Sequence, residues 1–557
     1  MPTMNLVTRV IVSIFLLSGA LQPLLGCTNL VAGSDATIDG STIIAYSADS
    51  HTLFGELYHW PASDWPKTAW LDIKEWDTGK PLGRIPQIAH TYSVIGNMNE
   101  HQVTIGESTF GGRKELVDTT AVLDYGSLIY IALQRSKTAR EAIQVMTDLV
   151  KEYGYCSEGE SFSIGDPNEV WIMEMIGKGP DYKGAVWVAV RIPDDCVSGH
   201  ANQARIRQFP LDKPDECLYS PDVISFARQM GYFSGMNKDF SFANAYAPLD
   251  FEALRLCEAR VWSFFNKVKS GMDAYLPYIN GKSTEALPLY VKPTRKLSAQ
   301  DFKGFMRDHF EGTSFDMTKD PGAGPFGVPY RWRPLTYTVD SAEYVNERAI
   351  STQQTGFSFV AQMRNWMPNP TTGGILWFGV DDANTSVYVP IFSGIDQIPD
   401  CFKVGNGDLL TFSWTSAFWV NNWVANQCYT KYSYMIKDIR PVQQQLEAGF
   451  NADIITLDRT VDSLYEHHPD SVRAILTAYS VAKAQSTTQR WKQLGEYLMV
   501  KYMDGNVKKE AGGQFKRNEY GMPETPDFPG YGEPFYKQVV KETGDKFLIK
   551  KSIYETK

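Results

Sequence analysis

Cys27 carries the most chemical potential of any residue in this chain. It closes an apolar leader: Arg9 is followed by Val10-Ile11-Val12-Ser13-Ile14-Phe15-Leu16-Leu17, which fades through Ser18-Gly19-Ala20 to Leu24-Leu25-Gly26. A short basic start with an apolar run of this length reads as a secretory signal, too short for a spanning helix. Removal of residues 1–26 leaves Cys27 at a new N-terminus. A residue placed there holds both reagents of acyl transfer. Its thiol is the nucleophile, with an ordinary pKa of ~8.5, and its own α-amine, at ~7.7–8.0, is the base. An amine titrating near ambient pH moves protons in both directions, so no catalytic histidine is required. Donors for the developing oxyanion are required, each worth ~10²–10³ in rate.

Two other readings of Cys27 stand beside this one. It is a buried strand cysteine, or it is a lipid-attachment site, because Leu24-Leu25-Gly26-Cys27 is similar to a bacterial lipobox. Against lipidation, Leu25 is bulkier than the small residue usual at that position. A strand-like run also starts at Thr28 with no polar tether.

Other chemical signatures are absent from the sequence. It has no Gly-x-Ser-x-Gly, His-Glu-x-x-His, Walker loop or Cys-x-x-Cys. The eight histidines are scattered. His467-His468 reads as a solvated helix end, and His101 and His200 show no ligand spacing. The sequence therefore calls for no metal and no cofactor. Seven cysteines leave at least one thiol unpaired, Cys27 being the natural one. Cys156, Cys196, Cys217, Cys257, Cys401 and Cys428 form disulfides or lie reduced in the core.

The elements that must hold Cys27 follow from the pattern around it. Cys27 to Ala32 reads as a strand, Asp39-Gly40 as a turn and Ser41 to Tyr46 as the returning strand, so the new N-terminus sits rigidly in a hairpin. Strands are expected at 92–94 and 103–105, at 161–164 and 169–175 around the Asp166-Pro167-Asn168 turn, and at 185–192, 374–380 and 386–392. Thr138-Ala139-Arg140-Glu141 spells a capping box ahead of a helix with Ala142, Val145, Met146, Leu149 and Tyr153 on one face. The stretch 415–503 reads as helical, and residues beyond 505 are rich in Gly, Pro and charge. Strands and helices mix without strict βαβ alternation, which predicts an α+β protein of packed antiparallel sheets covered by helices.

Composition sets the class. Hydrophobic residues make up 43% and charged residues 21%, as in a globular protein rather than a disordered one. The net charge of −10, with no long Lys/Arg run, makes nucleic acid a poor partner. No segment after the leader is apolar for ~18 residues, so no membrane span is expected.

An ordered series of short motifs then resembles one family. It comprises Cys27-Thr28-Asn29-Leu30-Val31, Asp39-Gly40-Ser41-Thr42, Ala48-Asp49-Ser50, Asn99-Glu100-His101, Gly106-Glu107-Ser108-Thr109-Phe110-Gly111-Gly112 and Thr138-Ala139-Arg140-Glu141-Ala142. Gly159-Glu160-Ser161-Phe162, Glu169-Val170-Trp171 and His200-Ala201-Asn202 follow, with looser likeness to about residue 500. Together they resemble the dipeptidase A group of cysteine peptidases, peptidase family C69, within the N-terminal-nucleophile hydrolases. The resemblance implies a four-layer αββα fold with a helical C-terminal region, and exposure of Cys27 by autocatalysis or by another peptidase. It also implies dipeptide substrates. By similarity to the related bile-salt and penicillin amidases, Asp49 orients the Cys27 amine, Asn99 and Asn202 shape the oxyanion site and amine network, and Arg205 steadies the cluster. One position departs from the pattern. Many relatives carry Arg three residues before the Asp, where this chain has Tyr46.

The expectation is an exported dipeptidase, periplasmic or extracellular, with residues 1–26 removed, 27–505 forming the hydrolase domain and 506–557 a polar extension; a homo-oligomer is compatible with it. An amidase or acylase of the same fold is the alternative, and a lipid-anchored binding protein acylated at Cys27 is the alternative of another class.

Overall fold

The computed structural model describes residues 26–549. Of the leader read as a signal, all but Gly26 therefore lies outside the described residues. The protein is α+β, and its centre is two antiparallel sheets that face each other.

The first sheet has seven strands. Thr28–Ala32 pairs on one side with Thr42–Asp49 and on the other with Val197–His200, so that Asn29 stands between Tyr46 and His200. Beyond Thr42–Asp49 the sheet continues through Thr355–Met363, Ile375–Val380 and Val389–Phe392. The second sheet has eight strands. At its centre Thr104–Gly111, Gly159–Gly165, Val170–Gly177 and Ala185–Ile192 pair in sequence order. Most central strands are buried on both faces, which explains their continuous apolar runs. The sheets approach closely where Gly106 faces Asn29. A Cβ at position 106 would lie 2.3 Å from Asn29 Oδ1, so only glycine fits there.

Helices cover both outer faces. Tyr125–Arg135 and Ala139–Tyr153 pack on the eight-stranded sheet over a core that includes Ile105, Phe162 and Trp171. Ala259–Val268, Ala299–Phe305, Ala417–Thr430, Tyr432–Leu464 and Pro469–Tyr502 pack against strands of the seven-stranded sheet or the elements beside it. The expected capping box is half formed. Thr138 accepts the Glu141 N–H, but the Glu141 carboxylate reaches back to the Lys137 N–H rather than to residue 138. Past residue 505 the chain carries a two-stranded hairpin, Glu510–Ala511 with Gln514–Phe515, and an exposed helix, Glu533–Thr543. All seven cysteines are unbonded, and all but Cys156 are buried.

Candidate active site

Cys27 stands at the head of the strand Thr28–Ala32, 7% exposed, on the wall of a cavity between the two sheets. Strand register brings its neighbours to it. Tyr46 lies on the paired strand Thr42–Asp49, and Glu107 lies on Thr104–Gly111 in the facing sheet. The Cys27 thiol donates to Glu107 Oε1 at 3.3 Å, and its sulfur is 3.7 Å from the Tyr46 hydroxyl. That hydroxyl donates to the same Glu107 oxygen. Burial raises the thiol well above its ordinary pKa, and the negative charges of Glu107 and Asp49 add to the effect. The resting Cys27 thiol is therefore neutral.

A second set of contacts grips the main chain on either side of Cys27. Asp49 is wholly buried and accepts from Arg348 at 2.6 Å and from the Thr355 hydroxyl at 2.6 Å. Arg348 also donates to the Gly26 carbonyl, and the Gly26 N–H donates to the Asp49 carbonyl at 2.8 Å. The peptide bond preceding Cys27 is thus pressed against Asp49 and Arg348. Arg260 holds the other side. It donates to the Cys27 carbonyl at 2.7 Å, to the Thr28 hydroxyl at 2.8 Å and to Asn202 Oδ1 at 2.8 Å. Asn202 adopts a left-handed φ of 56° and donates its amide to the Thr109 carbonyl at 2.7 Å. Its short polar side chain suits that backbone region.

Of the residues expected to act, the structure places Asp49 on the cavity wall with Cys27, joins Asn202 to Cys27 through Arg260, and leaves two apart. Asn99 is not at the cavity. Its amide donates to the Leu133 and Ser136 carbonyls at 2.7 and 2.8 Å, and its oxygen accepts the His101 and Val103 N–H groups. Every hydrogen-bonding position of that side chain is spent on the 99–103 turn and its neighbouring helix end. Asn97, two residues earlier, lines the cavity instead. Arg205 is a clamp elsewhere. It pairs with the buried Glu258 at 2.8 Å and donates to the Gly199 and Pro288 carbonyls. His200 ties the sheets together, with Ser108 on one ring nitrogen at 2.6 Å and Ser163 on the other at 2.8 Å. Burial pushes it down to about 3, so it is a neutral strut at physiological pH. His467 and His468 lie exposed between the two long helices.

Four residues of this neighbourhood carried no site signal of their own in the sequence. Glu107 is visible only as an acid inside an otherwise uncharged strand. Tyr125 opens the helix packed above the cavity. Arg260 and Arg348 come from segments more than 200 residues downstream of Cys27, and no local spacing could announce them. Among the described residues no group of three or more His, Cys, Asp and Glu side chains is disposed to hold a metal ion.

A family model described as Peptidase family C69 matches residues 55–445. A probable dipeptidase of Latilactobacillus sakei is 25% identical over 474 residues, covering 81% of this chain and 90% of the relative. A probable dipeptidase of Salmonella dublin is 25% identical over 403 residues, covering 67% and 82%. A dipeptidase of Bifidobacterium longum is 23% identical over 445 residues, covering 72% and 77%.

Proposed function

The chain belongs to peptidase family C69 and is a hydrolase of peptide bonds, and from that premise we propose that it is an exported dipeptidase whose nucleophile is Cys27 after removal of residues 1–26. The observation that carries the reading is the Cys27 thiol itself. It is hydrogen-bonded 3.3 Å from Glu107 on the wall of a cavity, and its carbonyl is fixed by Arg260. The facing sheets with helices on their outer sides support the four-layer αββα arrangement of N-terminal-nucleophile hydrolases.

In this mechanism the neutral α-amine of Cys27 takes the thiol proton as the sulfur attacks the scissile carbonyl. The C–S bond forms, the amine returns the proton to the leaving nitrogen, and the C–N bond breaks to leave a thioester. Water then attacks the thioester. The amine accepts its proton, the C–S bond breaks, and the sulfur recovers a proton. Asp49, whose carbonyl receives the Gly26 N–H before cleavage, is left beside the new N-terminus and orients the freed Cys27 amine. Asn202 acts through Arg260, which fixes the Cys27 carbonyl. Both are positioning residues.

The experiment is direct. Cys27→Ala is expected to lower turnover of dipeptides by at least ~10⁴-fold with an unchanged melting transition. Intact mass of the active, natively exported protein is expected to match residues 27–557 with an unmodified N-terminal cysteine. Substantial activity in Cys27→Ala, or a diacylglyceryl group on the active fraction, overturns the reading.

A further inference from the structure

The cavity that opens beside Cys27 has a marked chemical bias. Its lining contains three carboxylates, Asp49, Asp77 and Glu107, and no Lys, Arg or His. Asp49 is neutralised by Arg348, so the other two set the local field. Glu107 is 4% exposed, and no cation pairs with it among the described residues. Its Oε1 accepts from Tyr46 and Cys27, while its buried Oε2 meets no donor except the facing carboxyl of Glu160. A buried carboxylate left this way is costly unless something in the working state completes it. Asp77 stands at the mouth, where the Tyr125 hydroxyl reaches one of its oxygens at 3.0 Å. Trp76, Tyr130 and Phe357 make up much of the remaining wall.

We propose that this cavity is the subsite for the amino-terminal residue of the substrate, with Glu107 pairing to its free α-ammonium and Asp77 drawing cationic groups to the mouth. The inference rests on the reading of Cys27 as nucleophile. Its geometry follows from bond lengths. In a dipeptide the ammonium nitrogen lies about 2.5 Å from the scissile carbonyl carbon. When that carbon is presented to the sulfur at roughly 3–3.5 Å, the ammonium falls within ion-pair reach of a carboxylate that itself touches the sulfur at 3.3 Å. The aromatic wall then takes the first side chain, and its ring faces favour a cation over an anion. The substrate class is therefore dipeptides with an uncapped, protonated amine, basic or aromatic first residues being preferred over acidic ones. Acylated amines and anionic amides fall outside it.

The test uses the mature enzyme and small charged probes. Cys27 is alkylated with 2-bromoethylammonium, iodoacetamide and iodoacetate, each rate read by intact mass and normalised to the same reagent on a free thiol. In parallel, a free dipeptide and its N-acetyl derivative are compared as substrates. The wild type is expected to react in the order cation, neutral, anion, and to lose at least ~100-fold in kcat/KM on acetylation. Glu107→Gln is expected to bring the cation and neutral rates together and to raise KM for the free dipeptide by ~10-fold or more, with a smaller change in kcat. Asp77→Asn, on an exposed turn, flattens the order in part, so the proposal stays testable even if the Glu107 variant misfolds. Equal normalised rates for all three probes, a preference for iodoacetate, or undiminished cleavage of the acetylated dipeptide overturns the proposal. Failure of the underlying reading looks different: full alkylation of Cys27 then leaves turnover intact and takes the proposal with it.

Discussion

Glu107 and Glu447 are both buried glutamates, and they live in opposite electrostatic worlds. Glu447 lies on the long helix Tyr432–Leu464, behind the seven-stranded sheet. Arg307 grips both of its oxygens, at 2.5 and 3.2 Å. Gln300 donates at 2.8 Å, the Tyr388 N–H at 3.1 Å, and Lys303 adds a second positive charge. Burial alone would raise its carboxyl, yet Arg307 and Lys303 overrule burial and bring it down to about 2. Glu107 has the same burial and no cation, and its carboxyl is pushed up. The core glutamate is completed by its own chain, whereas the cavity glutamate awaits something from outside. That difference separates a carboxylate that builds the fold from one that reads a ligand.

The sharpest way to break the comparison is to make the core resemble the cavity. Arg307→Met keeps most of the side-chain volume and leaves Glu447 buried without its main partner. A loss of ~3–5 kcal/mol in unfolding free energy is expected from urea denaturation, because an uncompensated buried charge remains. A loss below ~1 kcal/mol would mean that Lys303 and the hydrogen bonds suffice, and that pairing by Arg307 is not what distinguishes the two sites.

Acid titration sharpens the same contrast at smaller amplitude. Glu447 has a folded pKa of about 2, below its unfolded value of ~4.3. Its contribution is present above ~4.3 and is lost as pH falls toward 2. His200 has a folded pKa of about 3 against an unfolded ~6.5. The unfolded chain binds its proton first, so stability is full above ~6.5 and declines as pH falls toward 3. The urea midpoint is therefore expected to start falling below pH ~6.5, before ordinary carboxylates titrate. Replacing His200 by Gln should delay that decline by one to two pH units. A midpoint flat down to pH ~4.5 would remove His200 as the strut between Ser108 and Ser163.

These contrasts also show what the sequence could reveal. The hairpin holding Cys27 was legible because Asp39-Gly40 separates two β-rich runs, and Ala185–Ile192 was legible because residues 185–190 form one apolar, β-rich run. The strand Thr355–Met363 at the middle of the first sheet was not. Both its faces are buried, so Thr-Gly-Phe-Ser-Phe-Val-Ala-Gln-Met shows no period of two, and one of its partners, Thr42–Asp49, lies over 300 residues upstream. The site divided in the same way. Cys27 and Asp49 belong to one hairpin and could be read together. Asn99 resembled a site residue because Asn-Glu follows a strand, but a turn needs the same side chain, and here the turn uses it completely. Arg260 and Arg348 reach Cys27 only through tertiary packing. Glu107 was present in a quoted motif, yet its role depends on the absence of a cation around it, which no local pattern records.

The smallest expected effect is the most discriminating one. Glu107→Gln keeps the shape of the side chain. Its carbonyl oxygen still accepts from Tyr46 and Cys27, and its new amide can donate to the facing carboxyl of Glu160, which burial and the Glu107 charge raise well above the usual carboxylate range and hold protonated. The substitution removes an uncompensated buried charge and keeps the acceptor that Tyr46 and Cys27 use. Unfolding free energy at pH 7 is therefore expected to stay level or to rise by up to ~2 kcal/mol, opposite in sign to Arg307→Met. The pH dependence carries a second signature. The folded Glu107 carboxyl is raised, so the native chain binds this proton before the unfolded chain does. Its stabilising contribution is complete below the unfolded ~4.3 and is lost as pH rises through the folded value. The difference between variant and wild type should therefore shrink as pH falls from 7 toward 4.5, when both are measured by urea midpoint in the same buffers. A loss of ~3 kcal/mol or more at pH 7 would place Glu107 with Glu447 as a structural charge, and the distinction between the two regions would collapse.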